Sequence, residues 1–549
     1  VPGRQLASCA DIQVVETPGA QQPIPRACAL LTAFVGRCLR GPLNQPILVR
    51  SFADFQRYFG GLWQPSTLSY ALEHFFEQGG QQAIVVRIAN GARPVSLTLN
   101  CGRERLILEA RAPGTREFLR AAVDYDQIDA LDTRRFNLVI QRVRAPGSEW
   151  IEEQETFRGL TIDADSARFV ATVLEDSALV RVHGEVPAAR PDRTLMPGTN
   201  LPVGYVSSSP DGDDGRPISD YDVIGSAVRR SGLFALAEVD ELAFLHVPPL
   251  TRTAEVGIST LLVAARFCRE RRAMLIVDPP ANWMGTKDMA RALKHIELRS
   301  DNAVMFHPRV TAMDRLRGRL ETFGNGGAVA GLLSRSGDAV SAALTSQEPE
   351  PLLRAGMKLS HEIDDADRWL FAAHGVNVLQ TVRRVPRERL PLRTLACGAS
   401  ASPDGSYLAQ RRLALFTINA IERGTRWCLS VQDDASAWGP VTRQVRTFLG
   451  ELRGAGAFAS VPFDQSFLVI CDDRINVAGR TPREVNILVQ FAATRPGEYH
   501  SFMITHSVAH RAARVRPVLV NRLEASLIVT HQLEHEVTIR LRRMDAVNL

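Results

Sequence analysis

Apolar and polar residues switch between two periods along this chain, and the switches mark its elements. Between Ser406 and Asp473, Tyr407, Leu408, Leu415, Ile418 and Ile421 recur at helical spacing until Gly424. Trp427, Leu429 and Val431 then alternate as in a strand. Trp438, Val441, Val445, Phe448, Leu449 and Leu452 line one face of a second predicted helix. Ser436 suits its N-cap, Pro440 its first turn and Gly454 its stop. Phe467, Val469 and Cys471 return to the strand period.

The same reading divides the remainder. Residues 1–27 are polar and marked by Pro and Gly, with one alternating run at 12–15, so they form an arm with no core of its own. Residues 28–88 read strand, helix, helix, strand, with Ser51 capping the first helix and Gly79–Gly80 ending the second. Residues 89–197 alternate at 95–99, 106–109, 136–141 and 178–182, with helical periodicity only at 166–174, and read as an inserted β-rich domain. Residues 198–220, including the SSSPDGDDG run, read as a loop or linker. Strands at 242–247, 274–277 and 303–306 alternate with helices at 255–271 and 286–298, which argues for a largely parallel sheet.

The expected architecture is therefore α/β and α+β multidomain. A middle α/β domain (28–88 and 198–310) carries the inserted β-rich outer domain (89–197). A C-terminal domain (311–507) and an extension (508–549) follow, with extended arms at both ends. At 549 residues the chain is too long for one core and fits about two to four domains.

Composition changes this picture little. An apolar fraction of 45% and a charged fraction of 23% describe an ordinary soluble globular protein. A net charge of +5 is small for this length and gives no nucleic-acid footprint. Only Lys287, Lys294 and Lys358 of the 65 basic residues are lysines. Arginine suits bidentate pairing with carboxylates at interfaces, although genomic base composition is the simpler account. The eight cysteines form no CxxC pair, and several sit in apolar runs, which points to a reduced, cytoplasmic compartment. No run of 18 apolar residues predicts a membrane-spanning helix. Leu6–Cys9 mimics a lipoprotein cleavage box but lacks the charged and apolar regions that precede one.

Candidate chemistry is sparse. His531, Glu534 and His535 spell H-x-x-E-H, an inverted zinc-peptidase signature. That chemistry needs a helix to project both imidazoles onto one metal. The flanks, SLIVT and VTIRLRR, alternate as strands, and in a straight strand the two histidines would lie about 13 Å apart. The glycine-rich segment 324–331 fails the dinucleotide-loop spacing at Val329, and the preceding residues 315–322 read as helical, so a packing or turn role is the better reading. Asp278 ends a strand where ligand carboxylates often sit, but Pro279 and Pro280 say more simply that the strand stops. Asp222, Asp240 and Glu241 read as ordinary flanking charges. Neither a nucleophile triad nor a phosphate loop is present, so no catalytic group and no cofactor is expected.

One family accounts for the ordered block as a whole. The helix–strand–helix–strand order, with ERGTRW, the helix from Val441, the Gly454–Ala457 turn and the FLVICDD exit, resembles the C-terminal domain of contractile tail sheath proteins of phages, pyocins and related injection machines. The family's usual Asn-Asp turn is replaced here by Gln432–Asp434. DIQVVETPGAQQPIPRA, AFVGRCLRGPLNQP, SFADFQRYFGG, ALEHFFEQGG, AIVVRI, EVDELAFLHVP, AMLIVDPP, NGGAVAGLLSRS and AAHGVNVLQ resemble the family's earlier segments in order. The matches run from about Asp11 to His506, and the remaining tail has no counterpart.

The resemblance implies a non-enzymatic subunit that polymerises helically around an inner tube and contracts. Its partners would be copies of itself, the tube protein, and baseplate and terminator proteins. It would assemble in the bacterial cytoplasm and mature as a virion tail or an extracellular particle. By the same resemblance, Ile12, Val14, Val15 and Glu16 belong to one inter-subunit strand arm and Tyr499, Phe502 and Ile504 to another. Arg443, Arg446 and Arg453, off the apolar face of their helix, would face the tube. The runner-up is another tail, baseplate or capsid assembly protein.

Overall fold

The computed structural model describes residues 23–25, 31–196, 198–201, 204–283, 298–335, 350–384, 390–396, 407–431, 434–458, 462–478, 484–492, 499–509, 513–521, 526–532 and 536–542. The chain divides into two compact units, one built from 30–335 and 349–398, the other from 1–29, 336–348 and 399–549.

The larger unit opens with β1 (Leu31–Gly36), β2 (Ile47–Val49), α1 (Phe52–Phe59), α2 (Thr67–Glu77) and β3 (Ala83–Arg87), the predicted order. Ser51 caps α1 as expected, its side chain accepting from the Asp54 amide. β11 (Leu242–His246), β12 (Met274–Val277), β13 (Ala303–His307) and β17 (Val376–Val378) join them in a seven-stranded sheet of order β17-β13-β12-β11-β1-β3-β2. Every neighbouring pair is parallel except β2 with β3. The parallel reading thus holds, and its cause is visible in β1. Ala33 and Val35 enter the core beside Ala264 and Phe267 of α5 (Ile258–Arg271), while Phe34 meets Phe75 of α2 edge-on at 5.4 Å. A strand covered on both faces must be apolar at successive positions. The helix expected at 286–298 falls almost wholly outside the described residues.

The glycine-rich segment is α6 (Gly326–Ser334), buried along its whole length against α2. A Cβ on Gly327 would lie 2.1 Å from the Ala71 carbonyl oxygen, and one on Gly331 2.3 Å from that of Phe75. The glycines let two backbones touch, which bears out the packing reading. The residues before them were misread. They form the hairpin β14 (Val310–Asp314) and β15 (Arg319–Phe323), not a helix. The charged run DRLRGRLET carries apolar groups at both periods, and Gly318 at φ +66° makes the turn that only the hairpin needs.

The inserted segment is β-rich, as expected. β4 (Ser96–Cys101), β5 (Glu104–Ala110) and β9 (Val180–His183) form one sheet. β6 (Leu119–Asp124), β7 (Arg135–Val143), β8 (Ile151–Thr161) and β10 (Val206–Ser207) form another, in the order β10-β6-β7-β8. Leu97, Leu108, Val123, Leu138 and Leu160 share one core between them. β6 and β8 escaped the pattern because alanines and glutamates hold their alternate positions. Helix α3 is shorter than expected (Val170–Glu175), and α4 (Asp220–Ile224) follows the linker. The predicted linker is partly structured: β10 joins the sheet, and Asp213 and Arg216 bridge back to Arg93 and Asn90.

The boundary expected at residue 311 is corrected. α7 (Asp365–Ala373), β16 (Lys358–Leu359) and β17 belong with the larger unit, because β17 pairs with β13 and β16 with β14. Three apolar residues cannot announce which sheet they will join.

The smaller unit holds α8 (Leu408–Gly424), α9 (Asp434–Gly454), α10 (Phe463–Ser466) and six strands: β18 (Phe467–Ile470), β19 (Glu484–Ala492), β20 (Tyr499–Ser507), β21 (Arg514–Asn521), β22 (Ser526–Gln532) and β23 (Glu536–Arg542). Their order is β18-β19-β20-β21-β23-β22. Val485, Ile487, Val489 and Phe491 of β19 pack on Phe416 of α8 and Val445 and Phe448 of α9. Leu488 faces the other way, with Ile470, Met503 and Val518. Two expectations fail here. Residues Arg426–Ser430 form a 3-10 turn, not a strand, held by Trp427 Nε1 donating to Gln444 Oε1 at 2.9 Å and by Thr425 Oγ1 against His506 Nε2 at 2.8 Å. Five alternating residues fit a tight turn as well as a strand when side-chain partners stand on both sides. Helix α9 also begins before Ser436, which puts Pro440 inside it.

Candidate assembly surface

The six-stranded sheet is the part of the smaller unit able to join other chains, because a sheet ends in unpaired backbone. Its outer strands are β18 and β22. β20 is an inner strand: it pairs with β19 from Tyr499 to Ser507 and with β21 at Phe502–Thr505. Tyr499, Phe502 and Ile504 are therefore not an exchanged arm left unpaired in one chain. Phe502 and Ile504 sit in the core of this chain's own sheet, and His500 beside them is driven down to about 4 by burial and by Arg411. The alternation was real, but its partner strands are internal. Ile12, Val14, Val15 and Glu16 lie outside the described residues.

The extension after residue 508 folds onto the same sheet. β22 and β23 form an antiparallel hairpin, and β23 lies parallel to β21. His531 pairs with Val537 across this hairpin; Glu534 and His535 lie outside the described residues. His531 is in a strand, which removes the helix that the zinc-peptidase motif requires.

On α9, Val441, Val445, Phe448, Leu449 and Leu452 are buried and Arg443 and Arg446 are exposed, as the helical period predicts. Arg453 differs. It is half-buried, its Nε donates to Ser466 Oγ at 2.8 Å, and its guanidinium lies over the Phe463 ring at 5.3 Å.

A cavity of about 40 Å³, room for ordered water, lies at the carboxyl ends of the larger unit's parallel strands. Thr67, Tyr70, His74, His246, Arg252, Asp278 and Arg309 line it. Asp278 does more than stop a strand: its Oδ1 accepts from the Gly326 amide at 2.7 Å, at the N-terminus of α6, and Oδ2 lies 3.6 Å from His246 Nε2. Arg252 is held by Asp314 and Glu321, and burial drives His74 down to about 4. Even so, Asp278 Oδ2 and His74 Nδ1 are buried with no hydrogen-bond partner among the described residues. Among the described residues, no group of three His, Cys, Asp or Glu side chains is placed to hold a metal. Burial pushes Cys38 and Cys471 up to about 12 and Cys101 to about 11, which keeps them as unreactive thiols. Among the described residues, no helix is long and apolar enough to cross a membrane.

No family model matches the chain, and no curated protein matches it in sequence. Solved structures do match in fold. A sheath tail protein from Listeria innocua superposes with a TM-score of 0.57 at 12% identity, over 90% of this chain and 98% of that one. The sheath of an extracellular contractile injection system, solved as the PVC sheath complex in the contracted state, gives 0.50 at 11% identity, over 90% and 96%. The correspondence takes in nearly the whole of each chain, and so the chain has the fold of the sheath tail proteins.

Proposed function

We propose that this chain is the structural subunit of a contractile sheath, which polymerises helically around an inner tube and contracts to drive the tube through a target envelope. The full-length match to a sheath tail protein, over 90% of this chain, carries the reading. The work is mechanical. An extended array that gains a few kcal/mol of interface per subunit on contracting does useful work once many subunits act together. No chemistry by the subunit is required. Copies of the chain are its first partners, followed by the tube, baseplate and terminator proteins. Assembly takes place in the bacterial cytoplasm, and the mature particle works outside it.

Two surfaces serve this reading. The N-terminal arm, through Ile12, Val14, Val15 and Glu16, adds a strand to an open sheet edge of a neighbouring copy; β18 and β22 are such edges. Arg443 and Arg446 face acidic groups of the tube, in rim pairs weak enough to release on firing. Arg453, already engaged, contributes packing instead. Negative-stain microscopy of the purified protein tests the reading. Wide, hollow, helical tubes are expected; a persistent monomer or a closed shell overturns it.

A further inference from the structure

Two sheet edges in the larger unit carry opposite charge on similar apolar ground. The first is β15. Among the described residues it pairs only with β14, and the hairpin exposes Met313, Leu316 and Leu320 to about half of their surface (50, 54 and 55%). Met313 and Leu320 are direct cross-strand partners, so these groups form one patch. Its ion pairs are layered with the cations outside. Arg315, paired with Glu73 and Glu77 of α2, and Arg319, paired with Glu321, are 62% and 66% exposed, whereas Asp314 and Glu321 are 0% and 14% exposed.

The second edge is β8, which among the described residues pairs only with β7. Among the described residues no backbone bond reaches its outer edge between Ile151 and Phe157. Trp150 and Ile151 are exposed at its start. Here the layering is reversed. Arg120 and Arg142 lie inside at 13% and 12% exposure, and Glu149 and Glu153 lie outside at 90% and 44%.

A helical polymer needs two different patches on each chain that complement one another, since a head-to-tail contact never meets itself. These edges meet that need in backbone, apolar area and sign of charge. We propose that the β15 edge of one copy docks on the β8 edge of a second copy of this chain, through strand pairing around Leu320 and Ile151, with Arg315 and Arg319 facing Glu149 and Glu153. The proposal rests on the reading of the chain as a polymerising subunit.

The test uses the full chain, with one batch carrying Leu320→Cys and another Ile151→Cys, both exposed positions where folding is little affected. A flexible bis-maleimide is added to each batch alone and to the mixture, with the wild type as the control for native cysteines. The expected result is a cross-linked dimer in the mixture well above either single batch and the wild type. In parallel, Arg319→Glu and Glu149→Arg each lower the sedimenting fraction severalfold, and the combined variant recovers most of it. Tubes that form with no excess cross-link overturn this contact and leave the sheath reading intact. Cross-linked dimers without tubes keep the contact and overturn the sheath reading. Cross-linking within either single batch, or to an unrelated protein in place of a copy, overturns the head-to-tail pairing, and a monomer that shows neither product overturns both.

Discussion

The Tyr70 hydroxyl donates to Asp314 Oδ1 at 3.0 Å, and this bond joins α2 to the β14–β15 hairpin, 244 residues away in sequence. Arg252 completes the set: it reaches Asp314 Oδ2 at 2.8 Å and lies over the Tyr70 ring at 4.5 Å. Burial acts against the Asp314 charge, but the hydrogen bonds from Tyr70, Leu316 and Arg317 and the charge of Arg252 outweigh it and hold the carboxyl below its ordinary range. Removing the hydroxyl with Tyr70→Phe should cost about 1 kcal/mol. Asp314→Ala removes the acceptor shared by Tyr70, Arg252 and the Leu316 and Arg317 amides, leaves Arg252 to Glu321 alone, and should cost more, about 3 kcal/mol. Denaturant unfolding of the two variants checks the order; equal losses would show that the carboxylate is not the centre of the set.

Close helix approach makes a second prediction. Gly331→Ala puts a methyl group 2.3 Å from the Phe75 carbonyl oxygen and must push α6 off α2. The expected loss is about 1–3 kcal/mol. A variant as stable as the wild type, measured by thermal unfolding, would show that the two helices are free to part.

Stability should fall in acid through buried histidines. Burial, with Arg315 nearby, drives His74 down to about 4, and burial, with His361 and Arg309, drives His307 down to about 3. Both fold as neutral rings, so their contribution is complete above the unfolded value of 6.5 and is lost as pH falls from there toward the folded values. Each costs about 1.4 kcal/mol per pH unit across its window. Glu73 acts in the opposite sense. Burial raises it to about 7 against the pull of Arg315, so its contribution is full below 4.5 and is lost as pH rises from there to about 7. Unfolding of wild type and His307→Gln at pH 7, 6 and 5 separates these effects: the variant should lose less per unit of acidification. Parallel curves would refute the assignment.

The two units should respond separately to core damage. Phe448 is 2% exposed and packs within the smaller unit's core. Phe448→Ala should cost that unit about 3–5 kcal/mol. Amide exchange should then quicken in β19 and β20 while β11 and β12 keep their protection. Uniform loss across both units would mean that they unfold as one.

How much of this was written locally can be seen strand by strand. β12 was predicted to the residue, since a short apolar run flanked by polar residues has one way to be buried on both faces. Helices α1, α2, α5 and α8 were legible from their spacing, and α1 also from its cap. The charge layering at β8 and β15 left no trace in the sequence, because a glutamate or arginine reads the same whether it points outward or beneath its partner. The alternation of β20 marks a strand but does not say whether its partners lie in the same chain.

By itself the sequence determined period, termination and composition: where most strands and helices run, and that a β-rich segment interrupts an α/β unit. These properties depend on residues within a turn or two of one another, where backbone geometry is fixed by neighbours. Only the tertiary structure decided partners. It set β17 beside β13, turned 315–323 into a hairpin braced by Tyr70 and Arg252, and placed β20 inside its own sheet. Strand pairing and ion pairing join residues tens to hundreds of positions apart. The free energy that selects one partner over another comes from burial and hydrogen bonds that exist only once the whole sheet is assembled.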